Sequence, residues 1–210
     1  MNKKVVIFDV DGVLFDSVEL MHQDTKVRYP TLSDKEIRDL HTGNIFEEIS
    51  KITHLMKEET EEERKERTET YTKNKANAPM YEGIKELLHH LADICTLVVN
   101  SSAILPNCIP LFDREGITEL FSFIATKEVH TSKVEKFKII AEKFNQKIEN
   151  MIFITDTIGD IKEAREVGLP TIAVTWGVHP REYFEEGIYE NLIAIVDTTT
   201  HLEEYIKNHF

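Results

Sequence analysis

The run Val5-Val6-Ile7-Phe8, followed at once by Asp9-Val10-Asp11-Gly12, constrains this chain more than any other stretch. Four consecutive apolar residues, three β-branched and one aromatic, are too few for an ordinary helix and specify a strand buried on both faces. The strand then ends in acid. Asp9 and Asp11, two apart at its mouth, repel each other unless a cation or a reacting group is shared between them, and Gly12 relieves backbone crowding where the chain turns.

Beyond Ser17 the pattern becomes helical and stays so to about Ala78-Pro79. Val18, Met21 and Thr25 share one helical face, and Tyr29-Pro30 ends that segment because proline excludes the residue before it from helix. Ser33-Asp34-Lys35-Glu36 is a capping box backed by Ile37 and Leu40. His41-Thr42-Gly43-Asn44 reads as a loop, and Ile45, Phe46, Ile49, Ile52, Leu55 and Met56 recur at helical spacing. Lys57 to Lys75 is almost wholly charged or polar, so a helix there would be a solvated one.

From Ile84 onward helices and strands alternate. Helices are predicted at Ile84–Leu91, Ile104–Glu115, Ser132–Phe144, Asp160–Val167 and around Leu202–Ile206. Strands are predicted at Ile94–Val99, Leu120–Ile124, Met151–Ile154, Thr171–Val174 and Ile193–Val196. That alternation means right-handed crossovers and a parallel sheet covered on both faces. The expected organisation is an α/β core, residues 1–16 and 80–210, interrupted by a helical insert, residues 17–79, placed to close over the sheet edge as a lid.

Composition narrows the classes. The chain has 210 residues, 41% hydrophobic, with Lys+Arg 25 against Asp+Glu 38 and a formal charge of -13. Such a surface repels nucleic acid. No apolar run reaches the length of a membrane span, and Met1-Asn2-Lys3-Lys4 leads straight into a strand with no signal-like apolar region, so a soluble cytoplasmic protein is expected. Cys95 and Cys108 show no metal spacing and suit packing in a reducing compartment.

Four strand ends carry the chemistry, because ligands in open parallel sheets bind beyond the carboxyl ends of the strands. The first supplies Asp9 and Asp11. The second supplies Asn100-Ser101-Ser102, short hydrogen-bonding side chains with backbone N–H groups suited to an oxyanion. Thr131-Ser132-Lys133 opens a helix with a lysine that can neutralise a phosphoryl group. Asp156 leaves the fourth strand and Asp160 starts the next helix. Three carboxylates converging on one cleft need a hard cation, and all-oxygen ligation fits Mg2+.

Asp9-x-Asp11-Gly12-Val13-x-x-Asp16-Ser17, Asn100-Ser101, Lys133 in its TSKVEKF setting and Asp156-Thr157-Ile158-Gly159-Asp160, in that order, resemble the four motifs of the haloacid dehalogenase (HAD) superfamily in its phosphatase form. The resemblance spans nearly the whole chain. It implies a Rossmann-like α/β core with a small all-helical cap inserted after the first motif. It implies Asp9 as nucleophile and Asp11 as general acid and base. It further implies Mg2+ held by the Asp9 and Asp156 carboxylates and the Asp11 carbonyl, with Asp160 in support, and Ser101 and Lys133 on the phosphoryl group. The family commonly has Thr or Ser at the tip of the second strand. Here Asn100 stands at the tip and Ser101 follows; Ser101 is favoured, and Asn100 stays in the site. His41, Thr42, Gly43 and Asn44 resemble the cap loop that faces the active site and selects substrate.

The activity so implied is magnesium-dependent hydrolysis of a small phosphorylated metabolite, in the manner of phosphoglycolate phosphatases, through an aspartyl-phosphate. A phosphomutase of the β-phosphoglucomutase type and a catalytically silent binding module are the alternatives. Asp16 and Ser17 read as helix caps, and Trp176-Gly177 as packing and a turn. Nothing in the sequence fixes the oligomeric state.

Overall fold

The structure, a computed structural model, describes residues 3–187 and 189–210; Met1 and Asn2, with which the expected core begins, and Ile188 lie outside it. The strands are β1 (Val5–Phe8), β2 (Thr96–Asn100), β3 (Phe121–Ala125), β4 (Met151–Thr155), β5 (Thr171–Val174) and β6 (Leu192–Val196). They form one parallel sheet in the order β3-β2-β1-β4-β5-β6. The acidic strand is therefore central, with neighbours on both sides.

Between β1 and β2 run α1 (Val18–Arg28), α2 (Asp34–Asp39), α3 (Ile45–Lys51), α4 (Glu61–Lys75) and α5 (Ile84–Ile94). The remaining helices are α6 (Leu105–Glu115), α7 (Lys133–Lys143), α8 (Ile158–Glu166), α9 (Arg181–Glu185) and α10 (Thr199–His209). Alternation along β1 sends Val6 and Phe8 into a core with Leu87, Leu91, Phe112 and Leu202, and Val5 and Ile7 into another with Phe137, Ile140 and Ala164. Both faces of the sheet are thus covered, as the unbroken apolar run required. Cys95 and Cys108 are buried free thiols within the first of these cores.

Several boundaries differ from the sequence reading. The helix expected from Ile45 to Met56 stops at Lys51, and Thr53–Leu55 forms a separate 3-10 turn, leaving Leu55 and Met56 exposed rather than packed. The His41–Asn44 loop begins in a 3-10 turn, Leu40–Thr42. The capping box at Ser33 and Glu36 is present, and a second one, Thr60 with Glu63, starts α4. That helix is solvated for most of its length, yet its last residue, Lys75, is buried. The short helix α9 carries no periodic apolar signal and was not expected from the sequence. Among the described residues no helix is long and apolar enough to cross a membrane.

Register fixes the site. Phe8 pairs with Val99 on one side and Ile154 on the other, so Asp9, Asn100 and Thr155 come level at the carboxyl edge of three adjacent strands. The Asp9 N–H continues the ladder by donating to the Ile154 carbonyl at 3.0 Å.

Candidate active site

A cavity of about 250 Å³ opens at this edge, with Asp9, Asp11, Ser101, Lys133, Asp156 and Asp160 in its wall. The residues after β1 turn sharply: Gly12 has a φ of +72°, and a side chain there would meet the Asp156 carboxylate at 1.9 Å. Only glycine combines that backbone angle with that closeness.

Each acidic group has its own surroundings. Asp9 Oδ1 accepts the Val10 N–H at 2.7 Å, and Oδ2 accepts Lys133 Nζ at 2.8 Å. The same ammonium donates to Asp160 Oδ2 at 2.6 Å, which also takes the Thr155 hydroxyl. Burial pushes Asp9 up to about 7, with Asp160 and Asp11 adding to the rise and Lys133 opposing it. Asp160 feels the same burial, but Lys133 and Thr155 outweigh it and hold this carboxyl below its ordinary value. Burial disfavours charge on Lys133 too, and there Asp160 and Asp9 prevail, holding it above the ordinary lysine value.

Asp11 points elsewhere. Its carboxylate accepts Lys75 Nζ at 2.6 Å and the Ser17 hydroxyl at 2.5 Å. Burial would raise Asp11, but Lys75 and Ser17 more than offset it and the carboxyl lies below its ordinary value. Ser17 does occupy the N-terminal position of α1, but its side chain caps no helical N–H, contrary to the expectation of a simple cap.

Asp156 is fully buried. Its Oδ2 accepts the Val178 N–H at 2.7 Å, while Oδ1 has no hydrogen-bond partner. Burial, and after it the charge of Asp9, pushes this carboxyl well above its ordinary range. An unpartnered, buried carboxylate oxygen beside a second carboxylate is costly unless a cation supplies the missing interaction. Hard oxygen donors of this kind suit a divalent ion such as Mg2+.

The metal set expected from the resemblance uses the Asp9 and Asp156 carboxylates and the Asp11 carbonyl, with Asp160 in support, so it does not require four carboxylates on one ion. Among the described residues no three His, Cys, Asp or Glu side chains are gathered to hold a metal ion. Asp11 is turned to Lys75 and Ser17, Asp160 to Lys133 and Thr155, and Asp9 to Lys133 and the Val10 N–H, so Asp156 Oδ1 is the carboxylate oxygen among the four that is left without a partner.

On the second strand, Ser101 lines the cavity, while Asn100 is fully buried and donates through Nδ2 to the Lys133 carbonyl at 3.4 Å. Of the loop residues, His41 and Gly43 reach the cavity wall. Thr42 and Asn44 instead fasten the loop: the Thr42 carbonyl accepts Lys162 Nζ at 2.8 Å, and Asn44 Nδ2 donates to Glu163 Oε1 at 2.9 Å. A side chain at Gly159 would meet the Gly43 carbonyl at 2.2 Å, which shows how closely the loop lies on α8. Burial pushes His41 down to about 4, so its imidazole is neutral at pH 7.

Sequence reasoning missed Lys75, Lys136 and Glu163. Glu163 accepts the Lys133 N–H at 2.9 Å as well as Asn44. Both Lys136 and Glu163 stand three residues after a motif residue on the same helix, Lys133 and Asp160, and helical spacing alone puts such pairs side by side. Trp176, read as packing, donates its indole N–H to the Val13 carbonyl at 3.2 Å.

Residues 6–174 match the family model of haloacid dehalogenase-like hydrolases. A phosphoglycolate phosphatase of Synechococcus elongatus is 26% identical over 105 residues, spanning 49% of this chain and 49% of that protein, about half of each. One of Vibrio parahaemolyticus is 25% identical over 201 residues, 85% of this chain and 86% of that protein. A haloacid dehalogenase-like family hydrolase from Streptococcus pneumoniae superposes with a TM-score of 0.76 at 19% identity, covering 98% of this chain and 99% of that one, a likeness of fold.

Proposed function

This chain belongs to the haloacid dehalogenase-like hydrolase family, and we propose that within it the protein is a magnesium-dependent phosphatase for a small phosphomonoester of the phosphoglycolate kind. The observation that carries this reading is the pairing of Asp9 with Lys133 beside the unpartnered oxygen of Asp156. A nucleophilic carboxylate, a cation for the phosphoryl oxygens and an unpartnered carboxylate oxygen meet at one strand edge. Relatives named phosphoglycolate phosphatases support the substrate class.

Mg2+ would be held by the Asp9 and Asp156 carboxylates with the Asp11 main-chain carbonyl, and when bound it neutralises their mutual repulsion and the charge of the phosphoryl group. An Asp9 carboxylate oxygen attacks phosphorus; the new Asp9 O–P bond forms as the P–O bond to the leaving group breaks. Asp11 gives its proton to the departing oxygen and later takes one from the water that cleaves the aspartyl-phosphate. Lys133 and Ser101 hold the phosphoryl oxygens, a mainly electrostatic task. The helical segment of residues 17–79 acts as the cap, and His41 and Gly43 bring its loop to the substrate.

A magnesium-supplemented screen of phosphorylated metabolites, read as released inorganic phosphate, tests the reading. Turnover of 2-phosphoglycolate or a similarly small phosphomonoester, abolished by chelator, is the expected result. No phosphate release from any member, or a phosphoenzyme that persists until a sugar phosphate is added, contradicts it.

A further inference from the structure

Lys136 is a buried cation that the proposed chemistry does not use. It lies on α7 one turn beyond Lys133, with no exposed surface, and its ammonium donates to the Ser101 carbonyl at 2.5 Å. Among the described residues that carbonyl is the one hydrogen-bond partner of its ammonium. Burial, with Lys133 adding to the effect, pushes it down to about 8. A leucine or methionine would fill the space without that cost, so the charge calls for an explanation of its own.

The carbonyl it grips belongs to the peptide that joins Ser101 to Ser102. In a trans peptide the C=O and N–H point in opposite directions, and no peptide in the described chain is cis. With the carbonyl directed at buried Lys136, the Ser102 N–H is directed away from it, and Ser101 and Ser102 both line the cavity. The neighbouring amides are already engaged: Ser101 N–H with the Ala125 carbonyl at 3.0 Å, and Ala103 N–H with the Ser101 hydroxyl at 3.1 Å. Among the described residues no group accepts the Ser102 N–H. A cation on the oxygen end of a peptide dipole makes its N–H end a stronger donor, as hydrogen bonds in chains polarise one another.

We propose that Lys136 is a positioning residue for phosphoryl binding: through the Ser101–Ser102 peptide it strengthens the Ser102 N–H that meets the phosphoryl oxygens. This rests on the phosphatase reading for the identity of the anion. The turn then presents two donors, the Ser101 hydroxyl and a cation-polarised amide, with the second cation kept out of the substrate's way.

Full-length Lys136→Met and Lys136→Gln variants test this, Gln keeping a donor without the charge. Inorganic phosphate is titrated calorimetrically in the presence of Mg2+, and the Ser102 amide resonance is followed in the protein free of phosphate. The expected result is about tenfold weaker phosphate binding in Lys136→Met, the size of losing charge assistance from one hydrogen bond. The Ser102 amide proton should move upfield in both variants, less in Lys136→Gln, with thermal stability kept. Unchanged affinity, or weakened affinity with an unmoved Ser102 resonance, overturns the proposal; the latter would make Lys136 a mere prop for the turn. If wild type binds no phosphate the phosphatase reading fails by itself, and the Ser102 resonance still decides whether Lys136 polarises this peptide, an unmoved signal overturning that. Should Lys136→Met fail to fold, Lys136→Gln carries the same two measurements.

Discussion

The Lys75 ammonium lies 2.6 Å from the Asp11 carboxylate, tying the last turn of α4 to the turn after β1 across 64 positions of sequence. Lys75 is 1% exposed and Asp11 13% in their side chains, so the pair is largely shielded from water. It holds Asp11 as a carboxylate, the form that takes a proton from water. In the proposed mechanism donation to a leaving oxygen requires the protonated form, so Lys75 would release Asp11 before that step. That would couple the helical segment to the proposed proton transfer.

Replacing Lys75 by Met strands a buried charge, and removing one partner of such a pair costs roughly 3–5 kcal/mol. Asp11 lies below its ordinary 3.8, so its contribution is complete above that value and is lost as pH falls through the lower folded one. Lys75 lies above its ordinary 10.5, so its contribution is complete below that value and is lost as pH rises through the higher folded one. Urea unfolding of wild type and Lys75→Met should therefore differ most between these two values. The gap should close in strong acid.

Mg2+ should stabilise the protein more as pH rises. Asp9 is raised from 3.8 to about 7, so without a cation the folded state loses stability as pH climbs through that interval. Asp156 is raised in the same direction and adds to the loss. A ligand that binds the ionised pair restores it by mass action. Thermal unfolding with and without millimolar Mg2+ should give a larger gain in Tm at pH 8 than at pH 5, and Asp156→Asn should remove most of the difference.

Ser101 and Asn100 should separate by readout. Ser101 lines the cavity and Asn100 lies beneath it, fully buried, with its Oδ1 unpartnered. Ser101→Ala is expected to lower kcat/KM roughly 10²-fold, in the range seen on removing one oxyanion donor. Asn100→Ala should act mainly on thermal stability, with a far smaller change in kcat/KM.

If the 41–44 loop selects substrate as proposed, its close packing on α8 makes Gly159 a position from which specificity can be changed. A methyl there must push the Gly43 and His41 carbonyls, which would lie 2.2 Å and 2.9 Å from it. Small displacements of positioning groups can cost about 10²-fold in rate. Gly159→Ala should raise KM and reorder a panel of phosphorylated metabolites.

Legibility in the sequence followed the range of the forces involved. β1 and its acidic end were readable because burial on both faces leaves four adjacent residues no other role, and the strands after Ile84 repeat that logic. Asp9, Ser101, Lys133 and Asp156 were readable as strand-end or helix-start residues, which topology alone brings to one edge. Lys75 was not, because its burial depends on where a highly charged helix ends relative to a turn far away in sequence. The Asn44–Glu163 bond, 119 positions apart, is similar: alone, Asn44 is an ordinary helix cap and Glu163 an ordinary polar residue on a helix. The break after Lys51 was hidden because the apolar spacing runs on through Leu55 and Met56, which tertiary packing leaves exposed.

The central claim is that Asp9 is the group that attacks phosphorus in a cation-dependent site. Steady-state hydrolysis of p-nitrophenyl phosphate by wild type and Asp9→Asn, each with and without Mg2+, addresses it most directly. Mg2+-dependent turnover is expected in wild type, with a fall of roughly 10⁴-fold or more in Asp9→Asn, the size of removing a nucleophile. Near-wild-type, Mg2+-dependent turnover by a folded Asp9→Asn variant would contradict it.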